Sequence, residues 1–89
     1  MDTETKVYVG VDVTFDADGN MRPAAIHWED GTVYRIDRIK AQETAAARKA
    51  GGCGDRYTVQ ICGKETYLFF EHSPDPFRFP LGKWFVERN

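Results

Sequence analysis

The chain has 89 residues and a formal net charge of -2, with 42% hydrophobic and 29% charged side chains. That length holds one domain with a modest core and excludes two packed units with a deep cleft between them. The composition excludes a disordered tail or a membrane-embedded segment, and the slight acidic excess excludes coating of nucleic acid by bulk electrostatics.

The chain opens M-D-T-E-T-K, acidic and polar with no apolar run behind a basic start. Neither a signal peptide nor a transmembrane helix is expected there, which leads to an expected cytoplasmic address with Cys53 and Cys62 as free thiols. Next, K-V-Y-V-G-V-D-V-T-F places Val7, Val9, Val11, Val13 and Phe15 at every second position. This is strand periodicity, in a run long enough to bend midway, with Gly10 the natural place. The segment D-A-D-G-N, residues 16–20, reverses the chain, because Gly and Asn tolerate positive φ and aspartates bond to nearby amides. A returning strand spans Met21 to Trp28, with Pro23 expected at an edge or a bulge because it lacks a ladder donor.

After the turn at Glu29 to Gly31, T-V-Y-R-I-D-R-I reads as a third strand whose alternation slips between Tyr34/Ile36 and Val33/Ile39, predicting a bulge or strong coil. The stretch Lys40 to Ala50, K-A-Q-E-T-A-A-A-R-K-A, is rich in helix formers. A short helix capped by Gly51 and Gly52 is expected, with prolongation of the third strand as the alternative. D-R-Y-T-V-Q-I forms a fourth strand, C-G-K-E turns, T-Y-L-F-F-E forms a fifth, the loop S-P-D-P-F-R-F-P-L-G follows, and K-W-F-V-E closes the chain. The fold class is therefore all-β and mainly antiparallel. About six strands and one helical turn make a small SH3-like or OB-like partly open barrel or coiled sheet, a single domain over residues 1–89.

Motifs for chemistry are weak. Cys53, Cys62, His27 and His72 could supply four soft ligands, but no pair has the short spacing of structural zinc sites, and no metal or other cofactor is expected. Cys53 and Cys62 bracket one strand, which holds its ends ~25 Å apart at ~3.3 Å per residue, too far for a disulfide. Cys53 would lie at the C-terminal pole of the expected helix, where the dipole raises a thiol pKa, the wrong direction for a nucleophile. His27 and His72 read as solvated surface histidines. A calcium loop begun at Asp16 would need glycine and glutamate where Met21 and His27 stand, and G-G-C-G lacks the context of a phosphate loop. With no acid, base and nucleophile converging, an enzyme is not expected.

Two features point to binding. Tyr67 and Phe69 face one side of the fifth strand, Leu68 and Phe70 the other, and Trp84 and Val86 oppose Phe85 on the last strand. A surface of Leu68, Phe70, Phe77, Phe79 and Phe85 is the candidate interface for a protein partner or a homodimer. The competing reading folds the proline loop over it as a second small cluster. The other feature is a basic middle, Arg35, Arg38, Lys40, Arg48, Lys49 and Arg56, beside Tyr34 and Tyr57. Such a set can contact anions or single-stranded nucleic acid, the less favoured partner here because alternation separates Arg35 from Arg38.

W-E-D-G-T-V-Y-R-I-D-R-I, K-A-G-G-C-G-D-R-Y-T-V-Q-I-C-G-K-E-T-Y-L-F-F-E and K-W-F-V-E together resemble short, uncharacterised bacterial proteins of Firmicute genomes and mobile elements. The resemblance implies a bacterial cytoplasmic protein and brings no activity or site residue with it. The expectation is a non-enzymatic interaction module with no membrane partner and no small-molecule substrate.

Overall fold

The computed structural model describes residues 5–46, 53–73 and 81–88. These contain seven strands: β1 (Thr5–Phe15), β2 (Met21–His27), β3 (Val33–Arg35), β4 (Arg38–Ala46), β5 (Cys53–Ile61), β6 (Lys64–His72) and β7 (Gly82–Arg88). They form one antiparallel sheet in the order β3-β2-β1-β7-β6-β5-β4. The all-β expectation holds, and no helix occurs among the described residues.

The alternating valines of β1 do two jobs. Its first half, Thr5 to Val9, pairs with β7, and from Gly10 to Phe15 it pairs with β2. The strand thus changes neighbours at the midpoint where a bend was expected, dividing the sheet into a five-stranded half and a three-stranded half. Register slips once between β1 and β2, where Asp12 faces Ala25 but Val13 faces Pro23. Ala24 is therefore the extra, bulged residue, and Pro23 stands at the bulge, outside the segment of β2 that pairs with β3.

The third predicted strand is two strands. β3 and β4 follow each other in the chain, separated by Ile36 and Asp37, yet occupy opposite edges of the sheet. A two-residue link can join the edges only if the sheet curls until they meet. At the link, the Ile36 N–H donates to the Ala24 carbonyl on β2 (2.9 Å) and the Asp37 N–H to the Gln60 carbonyl on β5 (2.8 Å). The parity slip read from the sequence is this corner, together with a register shift between Ile39 and Ala41.

The expected helix is corrected over its described part. Lys40 to Ala46 belong to β4, which pairs with β5 from Arg38↔Gln60 to Ala46↔Cys53; residues 47–50 lie outside the described residues. Helix propensity differs among these residue types by only a few tenths of a kcal/mol each, and a full ladder along β5 overrides it.

The core lies on the concave side. Ile26, Tyr57, Val59, Leu68 and Trp84 are buried there, with Val9, Val11, Ile36, Ile39 and Phe70 packed against them. Tyr57 is fully buried, and its hydroxyl donates to the Met21 carbonyl (3.3 Å), tying β5 to β2 across the interior. Burial, with Asp55 adding to it, pushes that hydroxyl's pKa up, so it stays a donor.

All three predicted turns form, the one at Glu29 to Gly31 with Gly31 at φ 90°, and the other two show what fixes them. In the first, Asp16 Oδ1 accepts the N–H groups of Asp18 (3.0 Å) and Asn20 (2.9 Å), while Gly19 takes φ 86°. The bond from Asn20 is the main cause holding the Asp16 carboxyl below its usual range. In the second, Cys62 and Gly63 adopt φ 52° and 78° between the paired Ile61 and Lys64, a two-residue turn with both central residues left-handed. Cys62 carries a Cβ in that conformation, at a cost of about 1 kcal/mol. Cys62→Asn should raise unfolding stability by several tenths of a kcal/mol to about 1, and the β-branched Cys62→Val should lower it by about 1 or more. Urea unfolding of the three proteins measures this.

Candidate functional site

The convex side of the five-stranded half carries side chains that the core does not need. Register aligns Tyr8 on β1 with Phe85 on β7, Phe85 with Phe69 on β6, Phe69 with Arg56 on β5, and Arg56 with Glu43 on β4. One unbroken cross-strand row thus spans the half-sheet. Phe69 and Phe85 stack with centroids 4.9 Å apart and planes 7° from parallel, and Tyr8 meets Phe85 edge-on at 5.8 Å.

Cations and carboxylates roof this row. Lys6 Nζ lies 4.7 Å from the Phe85 ring centre, Lys83 Nζ 5.3 Å from that of Tyr8, and the Arg56 guanidinium carbon 4.7 Å from that of Tyr67. Glu71 accepts from Lys6 Nζ and from the Tyr8 hydroxyl, both at 2.9 Å. Those bonds, Lys6 first and Tyr8 second, hold the Glu71 carboxyl below its usual range and raise both donors. Arg56 Nη2 donates to Glu43 (2.8 Å), which raises the guanidinium's pKa further, while its buried Nε has no acceptor. Lys40 Nζ donates to Glu65 (3.1 Å). Phe85 is sealed to 7% exposure, whereas Tyr8 at one end of the row and Tyr67 beside it on β6 stay 49% and 45% exposed.

The apolar surface expected from the sequence divides between two faces. Leu68 is fully buried in the core, and Phe70 turns the same way, its ring 4.8 Å from that of Trp84. Phe85 points to the convex side. Leu68 and Phe70 therefore offer no surface continuous with Phe85, a correction that follows from antiparallel register: Phe70 pairs with Trp84, and Phe69 with Phe85. Phe77 and Phe79 lie outside the described residues. The alternation within each strand was read correctly; the assignment of Phe85 to the same side as Phe70 was not.

The basic set also divides. Lys40 and Arg56 are bound to Glu65 and Glu43, Arg35 and Arg38 are exposed, and Arg48 and Lys49 lie outside the described residues. Tyr57 faces inward, whereas Tyr34 keeps 38% exposure. Both histidines are exposed and each has a carboxylate partner: His27 Nε2 is 2.9 Å from Asp12 Oδ1, and His72 Nε2 is 3.2 Å from Asp55 Oδ2. Cys62 is an exposed free thiol in its turn. Among the described residues no three metal-binding side chains gather.

Sequence reasoning passed over Lys6, Tyr8, Glu71 and Lys83 as members of one layer. Their signal was the parity they share with Phe69 and Phe85 once strand order is known. No family model, curated protein or solved structure matches this chain, and no helix among the described residues is long and apolar enough to cross a membrane.

The charged roof has a pH signature. Glu71 has a lower pKa folded than unfolded, so it stabilises the fold above the ordinary carboxylate range and loses that contribution as pH falls through it. Wild type should therefore lose more stability on acidification than Glu71→Gln, because the depressed pKa values of Asp16 and Asp30 are common to both proteins. Thermal unfolding from neutral to acid pH checks this; parallel curves would show that the Glu71 bonds contribute nothing.

Proposed function

We propose that this chain is a non-enzymatic interaction module whose convex aromatic face binds protein, a second copy of the chain first of all. The observation that carries this reading is the cross-strand row of Tyr8, Phe85, Phe69 and Arg56 on the face away from the core. The fold buries its core on the other side, and no described element covers this one. Tyrosine and arginine beside a sealed aromatic centre are the side chains that anchor protein interfaces.

Charge favours the second copy. The face carries Lys6, Lys40, Arg56 and Lys83 against Glu43, Glu65, Glu71 and Glu87, a balance that a two-fold axis can set opposite itself. A single-sign partner such as nucleic acid would leave half of those charges unmatched. The non-enzymatic part of the reading rests on the dispersal of Cys62, His27 and His72 over three separate places among the described residues.

Sedimentation equilibrium over micromolar to submillimolar concentration tests this. Wild type should associate to a dimer, and Tyr8→Ala combined with Tyr67→Ala should weaken association at least about tenfold, since exposed tyrosines at such centres each contribute above about 1 kcal/mol. Circular dichroism melting confirms that the double variant folds. A strictly monomeric wild type, or a folded double variant that dimerises as well as wild type, overturns the proposal.

A further inference from the structure

A second surface stands on the other half of the sheet and rests on observations independent of the aromatic face. An open depression of about 530 Å³ lies where β1 and β2 meet the β3–β4 corner, and Arg22, Arg35 and Arg38 line it. Arg22 faces Thr14 in the β1–β2 ladder, Arg35 faces Ala25 across β2–β3, and Arg38 begins β4 opposite Gln60. Residues far apart in sequence are brought together because the corner closes the sheet.

Three arginines stand there with two carboxylates, Asp12 and Asp37, which leaves one positive charge in excess. None of the three guanidinium groups forms a salt bridge with a described carboxylate, whereas Arg56 on the other half binds Glu43. The two carboxylates of the depression are already engaged. Asp12 holds His27 at 2.9 Å, and Asp37 Oδ2 accepts the Cys62 N–H at 3.0 Å. Three arginines around a concave, partly apolar wall, each with its fork unspent on a carboxylate, match the oxygens of a phosphate group. No aromatic side chain lines the depression, so nothing there would stack a nucleobase.

We infer that this depression is an anion site for a small molecule bearing a phosphate or pyrophosphate group, held by Arg22, Arg35 and Arg38. Binding is electrostatic and bidentate, so it weakens as salt rises and it distinguishes pyrophosphate from chloride at equal ionic strength.

Isothermal titration of the full chain with pyrophosphate at low ionic strength, against chloride of matched ionic strength, tests the inference. Wild type should bind pyrophosphate, and Arg35→Gln and Arg38→Gln should each weaken binding about tenfold or more. Melting curves establish that each variant is folded. Absence of pyrophosphate binding by wild type, or equal binding by the folded arginine variants, overturns the proposal. So does binding of a single-stranded oligothymidylate without any binding of pyrophosphate, which would assign the arginines to a nucleic-acid strand. Dimerisation plays no part in these readouts, so the two proposals fail separately.

Discussion

Everything in this fold depends on the two residues between β3 and β4. Ile36 and Asp37 join the opposite edges of a seven-stranded sheet, and they do so with backbone bonds to both neighbours, Ala24 on one side and Gln60 on the other. A flat or gently twisted sheet cannot satisfy that link, because its edges would stand several strand spacings of ~4.8 Å apart. Curling brings the edges together and gives the sheet an inside and an outside. Asp37 strengthens the corner through its side chain, which accepts the N–H of Cys62 and so anchors the β5–β6 turn to it.

The curl decides what can be buried. The interior takes one layer of side chains, and three of them, Tyr57, Val59 and Leu68, are completely enclosed. Tyr57 bridges it from wall to wall, its ring against Trp84 and its hydroxyl on the Met21 carbonyl. Outside it, the described half-sheet displays Tyr8, Tyr67, Phe69 and Phe85 with Lys6, Arg56 and Lys83. The convex row is stabilised there by lysine and arginine heads lying over the rings, which places positive charge on the negative ring faces. This is how a sheet with apolar residues on both sides keeps its outer aromatics without a second described layer.

Much of this was legible in the residues. The alternation of Val7 to Phe15 announced β1, Pro23 announced the β2 bulge, and D-A-D-G-N and C-G announced their turns, because each is a local rule of backbone geometry. The Lys40 to Ala46 segment was less so: its helix-forming residues carry a weak preference, while its partner β5 begins several residues further on. The place of Phe85 was hidden for another reason. Alternation says which residues share a face of one strand, but the relation between faces of β6 and β7 needs their register, and no local signal carries it. The arginine depression was hidden most deeply, since Arg22 joins Arg35 and Arg38 only after the corner has closed.

The corner also explains why the two outer surfaces differ in kind. On the five-stranded half, continuous ladders set side chains in rows, so Lys6, Lys40 and Arg56 stand on carboxylates and Phe69 stacks on Phe85. Near β3 and the start of β4 the ladders stop: β3 has three residues, and its continuation leaves for the other edge. Arg35 and Arg38 therefore form no salt bridge with a described carboxylate, while the backbone carrying them is pinned by the bonds of Ile36 and Asp37. A concave place with fixed backbone and a net positive charge suits an anion, because little ordering remains to be done when the ligand arrives. The row on the other half is already matched within itself, and only a surface with the same alternation of charge and ring can replace its water without loss.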